Sequence, residues 1–152
     1  MADIVPAHVR SRMMSGIRGK DTKPELLVRR ALHAAGFRYR LHERTLPGKP
    51  DMVFPKYSAV VFIHGCFWHG HDCHLFRMPS TRTEFWQAKI SGNVARDVRA
   101  TALLRETGWR VGTVWECALK GREKLPVDDI VAALEVWLRG ETSELEIRGL
   151  AA

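Results

Sequence analysis

Residues 64–74 read His-Gly-Cys-Phe-Trp-His-Gly-His-Asp-Cys-His, a run in which histidines and cysteines crowd around a Phe-Trp pair. An apolar core requires no such mixture. Thiolate and imidazole at short spacing are the ligands that a borderline-soft metal such as zinc selects. Cys66, His71 and Cys73 form a Cys-x4-His-x-Cys run, and Cys117 follows a separate strand-like segment. Together they can satisfy tetrahedral geometry, and they use every cysteine in the chain. The expectation is a structural Zn2+ that pins the loop to a strand end and contributes directly to folding. The plainer alternative is three small buried thiols among unrelated histidines. His74 is a bystander in either case.

A second chemistry lies just upstream. Pro50-Asp51 opens a short strand, and after a turn comes the apolar run over residues 59–63. This order resembles a common nuclease arrangement in which Pro-Asp and a later acidic-x-Lys motif hold Mg2+ against a scissile phosphate. Here Phe62-Ile63-His64 occupies the acidic-x-Lys positions, so the second carboxylate is absent and His64 takes the lysine place. Magnesium must then lean on backbone carbonyls, waters and phosphate oxygens, which it accepts. An imidazole near neutral pH can serve as general base or assist the leaving group. His69, Glu25 and Asp97 can join such a centre, Asp97 by orienting a histidine through its second ring nitrogen. Each has a bland counterpart. Glu25 completes a capping box, Asp97 is a solvated helix residue beside arginine, and Asp51 ends the Pro-Gly-Lys-Pro turn.

Phe67 and Trp68 sit between a zinc ligand and a candidate catalytic histidine, where burial of both rings in a distant core is awkward. Trp86 lies in Thr81-Arg82-Thr83-Glu84-Phe85-Trp86, among side chains that suit phosphate. Aromatics interleaved with Arg and Thr suit stacking on bases, and a wedge enters a duplex most easily where a mismatch has already weakened the stack. Phe85 reads instead as the inner face of a helix.

The elements that must position these groups follow from periodicity. Thr22-Lys23-Pro24-Glu25 has the Thr-x-x-Glu form of a capping box with proline in the first turn. Leu27, Val28, Ala31, Leu32 and Ala35 then recur at helical spacing, and Gly36 closes the helix. Phe37, Tyr39 and Leu41 alternate as a half-buried strand; short strands follow at 51–54 and 59–63. The second reads as the centre of a sheet. Thr83 caps a helix through Ile90, Ser91-Gly92 interrupts it, and a second helix runs over 93–107 with Val94, Val98, Ala102 and Leu103 inward. Residues 109–115 alternate as a strand that delivers Glu116 and Cys117. Pro126 starts a last helix with Ile130, Leu134, Trp137 and Leu138 on its apolar face. The order is α-β-β-β-α-β-α, an α/β domain with helices flanking a mixed sheet.

At 152 residues the chain fits one domain. We place a basic arm at 1–21, the domain at 22–140 and a C-terminal tail at 141–152. Lys+Arg 24 against Asp+Glu 17 gives a net charge of +7. That balance favours a polyanion, because Lys and Arg release counterions from phosphates. No apolar stretch approaches a membrane span, and the start lacks the apolar region of a secretory signal. An odd cysteine count argues against a disulfide scaffold and for a reducing cytoplasm.

With these residues assembled, the sequence resembles the very-short-patch repair (Vsr) DNA mismatch endonucleases over almost its whole length. The matching blocks run from Met13-Met14-Ser15-Gly16-Ile17-Arg18-Gly19-Lys20-Asp21-Thr22-Lys23-Pro24-Glu25 through Leu46-Pro47-Gly48-Lys49-Pro50-Asp51 to His64-Gly65-Cys66-Phe67-Trp68-His69. Thr81-Arg82-Thr83-Glu84-Phe85-Trp86, Asn93, Arg96-Asp97 and Val114-Trp115-Glu116-Cys117-Ala118-Leu119 complete them. The resemblance implies a restriction-endonuclease-like fold with structural zinc, in a cytoplasmic bacterial enzyme; oligomeric state stays open, although a single asymmetric lesion suits a monomer. It implies Mg2+-dependent nicking of double-stranded DNA beside the thymine of a T:G mismatch, with other repair proteins downstream. Asp51 and the carbonyl of Ile63 would bind Mg2+. His69 would activate water, oriented by Asp97, with His64 and Glu25 completing the site. Phe67, Trp68 and Trp86 would enter from the major groove and Met14 from the minor groove. Position 63 is Ile where the family pattern leads one to expect Thr, which a backbone ligand tolerates. Two other readings stay in play: a nuclease for a different lesion, and a zinc-stabilised DNA-binding module without catalysis.

Overall fold

In the computed structural model, residues 23–150 are described. The arm at 1–21, with Met14, and the Thr22 cap lie outside them. Helix α1 spans Lys23–Ala34, β1 Arg40–Leu41, β2 Met52–Phe54, β3 Ala59–His64, α2 Thr83–Glu106, β4 Arg110–Trp115, α3 Val127–Arg139 and β5 Glu144–Ile147. The strands form one sheet in the order β1-β2-β3-β4-β5. β1, β2 and β3 pair antiparallel, while β3, β4 and β5 pair parallel.

Parallel pairing demands a long crossover, and α2 and α3 supply the two. They lie on opposite faces. Val28 and Leu32 of α1 and Ile130, Leu134 and Leu138 of α3 pack with Met52, Phe54, Ala59, Val61 and Val114. On the other face, Leu104 of α2 meets Val53, Val60, Phe62 and Val111. Alternate residues of β3 thus feed two cores, which is why that strand reads as an unbroken apolar run.

Several expectations need correction. Ser91-Gly92 does not interrupt α2, which is continuous over 24 residues. An internal glycine costs a helix about 1 kcal/mol relative to alanine, too little to outweigh the turns on either side. The helix is also rotated from the expected phase: Ile90, Ala100 and Leu104 are its buried residues. Val98 is 65% and Leu103 49% exposed, and Val94 and Ala102 are also turned away from the core. Phe85 is not an inner-face residue either, being 45% exposed with the Arg82 guanidinium over its ring. Of the strand expected around residues 37–41, only Arg40–Leu41 pairs; Phe37 packs in the core without joining the sheet. Within the segment read as a tail, Glu144–Ile147 pairs parallel with β4. Only Ile147 of that strand is buried, so it carries a weak apolar pattern.

No helix among the described residues is long and apolar enough to cross a membrane.

Candidate active site and metal centre

β3 and β4 pair with His64 opposite Trp115. Both strands stop within one residue of that pair, and the functional groups gather just beyond.

Cys66 and Cys117 follow the two strand ends at equal distance. A tight loop, closed by His71 N–H donating to the Cys66 carbonyl at 2.9 Å, returns His71 to the same point. Nδ1 of His71 lies 3.5 Å from Sγ of Cys66 and 3.6 Å from Sγ of Cys117. With Cys73, one ligand atom from each of the four falls within 4.8 Å of the others. The sulfurs also accept backbone hydrogen bonds, Cys66 from Cys117 N–H and Cys117 from Gly149 N–H, each 3.3 Å. Such donors suit thiolates. Burial pushes the Cys66 and Cys117 thiols up, so taking the protons off them requires a cation to replace them. Three sulfurs and one imidazole around a common point fit a tetrahedral metal.

On the β2 side of β3, Asp51 Oδ2 accepts the Ile63 N–H at 2.6 Å. Glu25, fully buried in the first turn of α1, faces the same space. Its carboxylate takes His42 Nε2 at 2.9 Å and Arg29 at 3.2 Å. Ligand atoms of Glu25, His42 and Asp51 lie within 4.8 Å of one another. Burial, with the facing Glu25 carboxylate adding to it, pushes the Asp51 carboxyl up to about 7 against the pull of the Ile63 N–H. Two sunken carboxylates held together need a proton or a cation between them. This donor set fits a hard divalent ion.

On the α2 side, His69 and Asp97 meet at 2.5 Å through Nδ1 and Oδ2. A carboxylate can only accept there, so His69 carries its proton on Nδ1 and leaves Nε2 free to take another. Gly70 makes the approach possible. With φ at +62° it lies where a Cβ would come within 2.9 Å of Ile90 on α2. The His64 ring stacks on His69 at 3.8 Å and 6°. Burial holds His64 down to about 3, and the adjoining His69 pushes the same way. It is neutral throughout the physiological range.

The aromatic groups form one half-buried cluster beyond this point. Trp86 lies 5.5 Å from Phe67 and 5.9 Å from Trp68, centroid to centroid. Asn93 Nδ2 donates to the Trp68 carbonyl at 2.8 Å and ties the pair to α2.

Asp51, Glu25, His64, His69 and Asp97 therefore converge on the end of β3, and the four metal-centre residues adjoin them. Met14 lies outside the described residues. His42 and Trp115 were not singled out from sequence. His42 follows an exposed two-residue strand with no motif around it, and only its left-handed φ of 51° turns its ring back towards Glu25. His74, taken as a bystander, pairs with Glu123 at 2.9 Å and braces the loop against the turn after Cys117.

The family description DNA mismatch endonuclease Vsr matches residues 2–75. The chain is 47% identical over 147 residues to the DNA mismatch endonuclease Vsr of Escherichia coli K12, covering 97% of this chain and 94% of that protein. It is 48% identical over 119 residues to the type II nicking enzyme V.XorIIP of Xanthomonas oryzae pv. oryzae, covering 78% and 88%. To the nicking enzyme V.NmeAIP of Neisseria meningitidis it is 48% identical over 122 residues, covering 80% and 87%.

Two outcomes follow from the geometry. A raised Asp51 pKa means that a proton holds the site below about pH 7 and that the metal-free protein loses stability as pH rises through that value. Titration with a magnesium salt should therefore show affinity falling about tenfold for each pH unit below 7, since one proton leaves per ion bound; affinity independent of pH would contradict this. Cys117→Ser should purify without its metal and melt about 10 °C or more lower. Full metal content with an unchanged Tm would remove Cys117 from the ligand set.

Proposed function

The chain belongs to the DNA mismatch endonuclease Vsr family, and from that premise we propose that it nicks one strand of duplex DNA beside the thymine of a T:G mismatch. Such mismatches arise from deamination of 5-methylcytosine, and the nick would begin very-short-patch repair by other proteins. The observation that carries the proposal is the shared strand end. Asp51 is bonded to Ile63 N–H, and the next residue, His64, stacks on the Asp97-bound His69. A metal-binding carboxylate and an oriented base on adjoining backbone are what hydrolysis of a phosphodiester needs.

The hard ion would be Mg2+, which Asp51 and the carbonyl of Ile63 would hold, with Glu25 and His42 beside Asp51. When bound it neutralises phosphate charge and makes water more acidic. The chain's own residues do the rest. Nε2 of His69 takes a proton from the attacking water, whose oxygen bonds to phosphorus. The P–O bond to one deoxyribose breaks, and the released sugar oxygen takes a proton from solvent. Asp97 holds the tautomer and stabilises the imidazolium as it forms. His64, neutral and stacked, braces the base rather than donating a proton. Cys66, His71, Cys73 and Cys117 would hold Zn2+, which would fix the loop that carries His69.

The Phe67, Trp68 and Trp86 cluster next to this centre fits a wedge entering the major groove, and Met14 on the basic arm would meet the minor groove. Every base offers a face to stack on, so the rings select for a weakened stack rather than a sequence. An antiparallel β1-β2-β3 unit with an acidic residue where β2 begins supports reading the fold as restriction-endonuclease-like. One asymmetric lesion suits a monomer.

The test compares labelled duplexes that differ only in one T:G or T:A pair, in Mg2+. Nicking of the thymine strand of T:G alone is expected, and Asp51→Ala should slow it about a thousandfold or more while binding persists. Trp68→Ala should cut the preference for the mismatch about tenfold or more. Cleavage of both duplexes alike would leave a nuclease for another site, and binding without cleavage would leave a DNA-binding module.

A further inference from the structure

Trp115 ends β4 beside His64 and takes no part in the chemistry set out above. Its ring lies flat on His71, the imidazole of the metal centre, at 3.9 Å and 7°. It stands edge-to-face with the ring of His64 at 5.3 Å and 69°, and with that of His69 at 6.3 Å and 74°. The indole N–H donates to Glu146 Oε1 of β5 at 3.1 Å, which stops the ring from sliding along the stack. The result is a line of aromatic rings from one centre to the other. It runs from the Cys66, Cys73 and Cys117 sulfurs to His71, across Trp115, to the stacked His64 and His69, and ends at Asp97.

The contacts in this line are directional. Flat stacking fixes the distance and tilt of Trp115 relative to His71, and edge-to-face contact favours one orientation of His64. His64 in turn lies flat on His69, with the Phe62 ring tilted against it at 5.3 Å. Asp97 fixes the Nδ1 end of His69 but leaves the ring free to swing about that hydrogen bond, and the stack is what limits the swing. Trp115 is also half-buried in the wall of a groove shared by His64, His69, His71 and Asp97. A smaller side chain there would leave space next to both imidazoles.

We propose that Trp115 is a positioning residue that couples the Cys3His metal centre to the His64–His69 pair and holds the base in line for attack. The role rests on the reading of His69 as the base. Binding of DNA through the Phe67, Trp68 and Trp86 cluster does not pass through Trp115, so the coupling acts on cleavage and not on affinity. A displacement of about 1 Å in a catalytic group can cost roughly a hundredfold in rate, which sets the scale of the effect.

The experiment uses the full chain loaded with zinc, as wild type, Trp115→Leu and Trp115→Phe. Metal content, affinity for the T:G duplex, single-turnover nicking in Mg2+ and the imidazole NMR signals of His64 and His69 are measured for each. Trp115→Leu should retain zinc and bind DNA within about threefold of wild type, yet nick at least about tenfold more slowly, with both imidazole signals displaced. Trp115→Phe, which keeps a flat face for His71, should recover most of the rate and the wild-type signals. Wild-type nicking by the zinc-loaded Leu variant overturns the proposal. So does an equal loss in the Phe variant, or a loss of rate matched by a loss of affinity. If the Leu variant does not fold, Glu146→Ala decides, because it frees the indole and leaves the ring: slower nicking at unchanged affinity supports the coupling, and an unchanged rate overturns it. Should wild-type protein fail to nick at all, the functional reading fails, while the imidazole signals of the variants still decide the coupling.

Discussion

The parallel pairing of β3 with β4, with His64 opposite Trp115, is the constraint on which the rest depends. Parallel strands end on the same side, so the residues after each emerge together. Cys66 and Cys117 are each two residues beyond that pair, which lets a metal bridge segments that are 51 residues apart in sequence. The same level sets His64 against Trp115 and brings Asp51, at the start of antiparallel β2, against the backbone of Ile63. A slip of one residue would turn His64 to the opposite face and separate the cysteines.

Electrostatics then divides the labour between the two sides of β3. On one, Glu25 and Asp51 are buried together, and the cost of that arrangement appears as an Asp51 carboxyl pushed up to about 7. A divalent ion would relieve it. On the other, burial keeps His64 neutral, while Asp97 fixes the proton of His69 on Nδ1. Opposite environments on either side of one strand thus set a pair of buried carboxylates and a carboxylate-bound imidazole near the same strand end, without a second carboxylate on the strand. The helix faces match this division: α1 carries Glu25 and α2 carries Asp97.

Much of this was legible in sequence because it is local or chemically specific. The apolar run of β3 marked a central strand, and the density of Cys and His in residues 64–74 marked a loop whose side chains gather as a metal would need. The convergence of Asp51, His64 and His69 followed from motif order. What escaped depends on long-range placement. His42 reaches Glu25 only through a left-handed turn, and Trp115 matters only because a parallel register sets it between two imidazoles. The strand at Glu144–Ile147 has a single buried residue, too little pattern to read. The phase of α2 differs from the periodicity because Val94, Val98 and Ala102 form an apolar stripe that borders the groove beside His64, His69 and Asp97, not the core.

The central claim is that Asp97 makes His69 a base by holding its proton on Nδ1. The most direct measurement is single-turnover nicking of a T:G duplex by Asp97→Asn, with affinity for the same duplex measured alongside. The amide keeps the shape but can donate to Nδ1, which moves the proton to Nε2 and removes the acceptor for water. The account predicts unchanged binding and nicking slowed by roughly three to four orders of magnitude, the scale seen when such a carboxylate is made an amide. Nicking at the wild-type rate would contradict it.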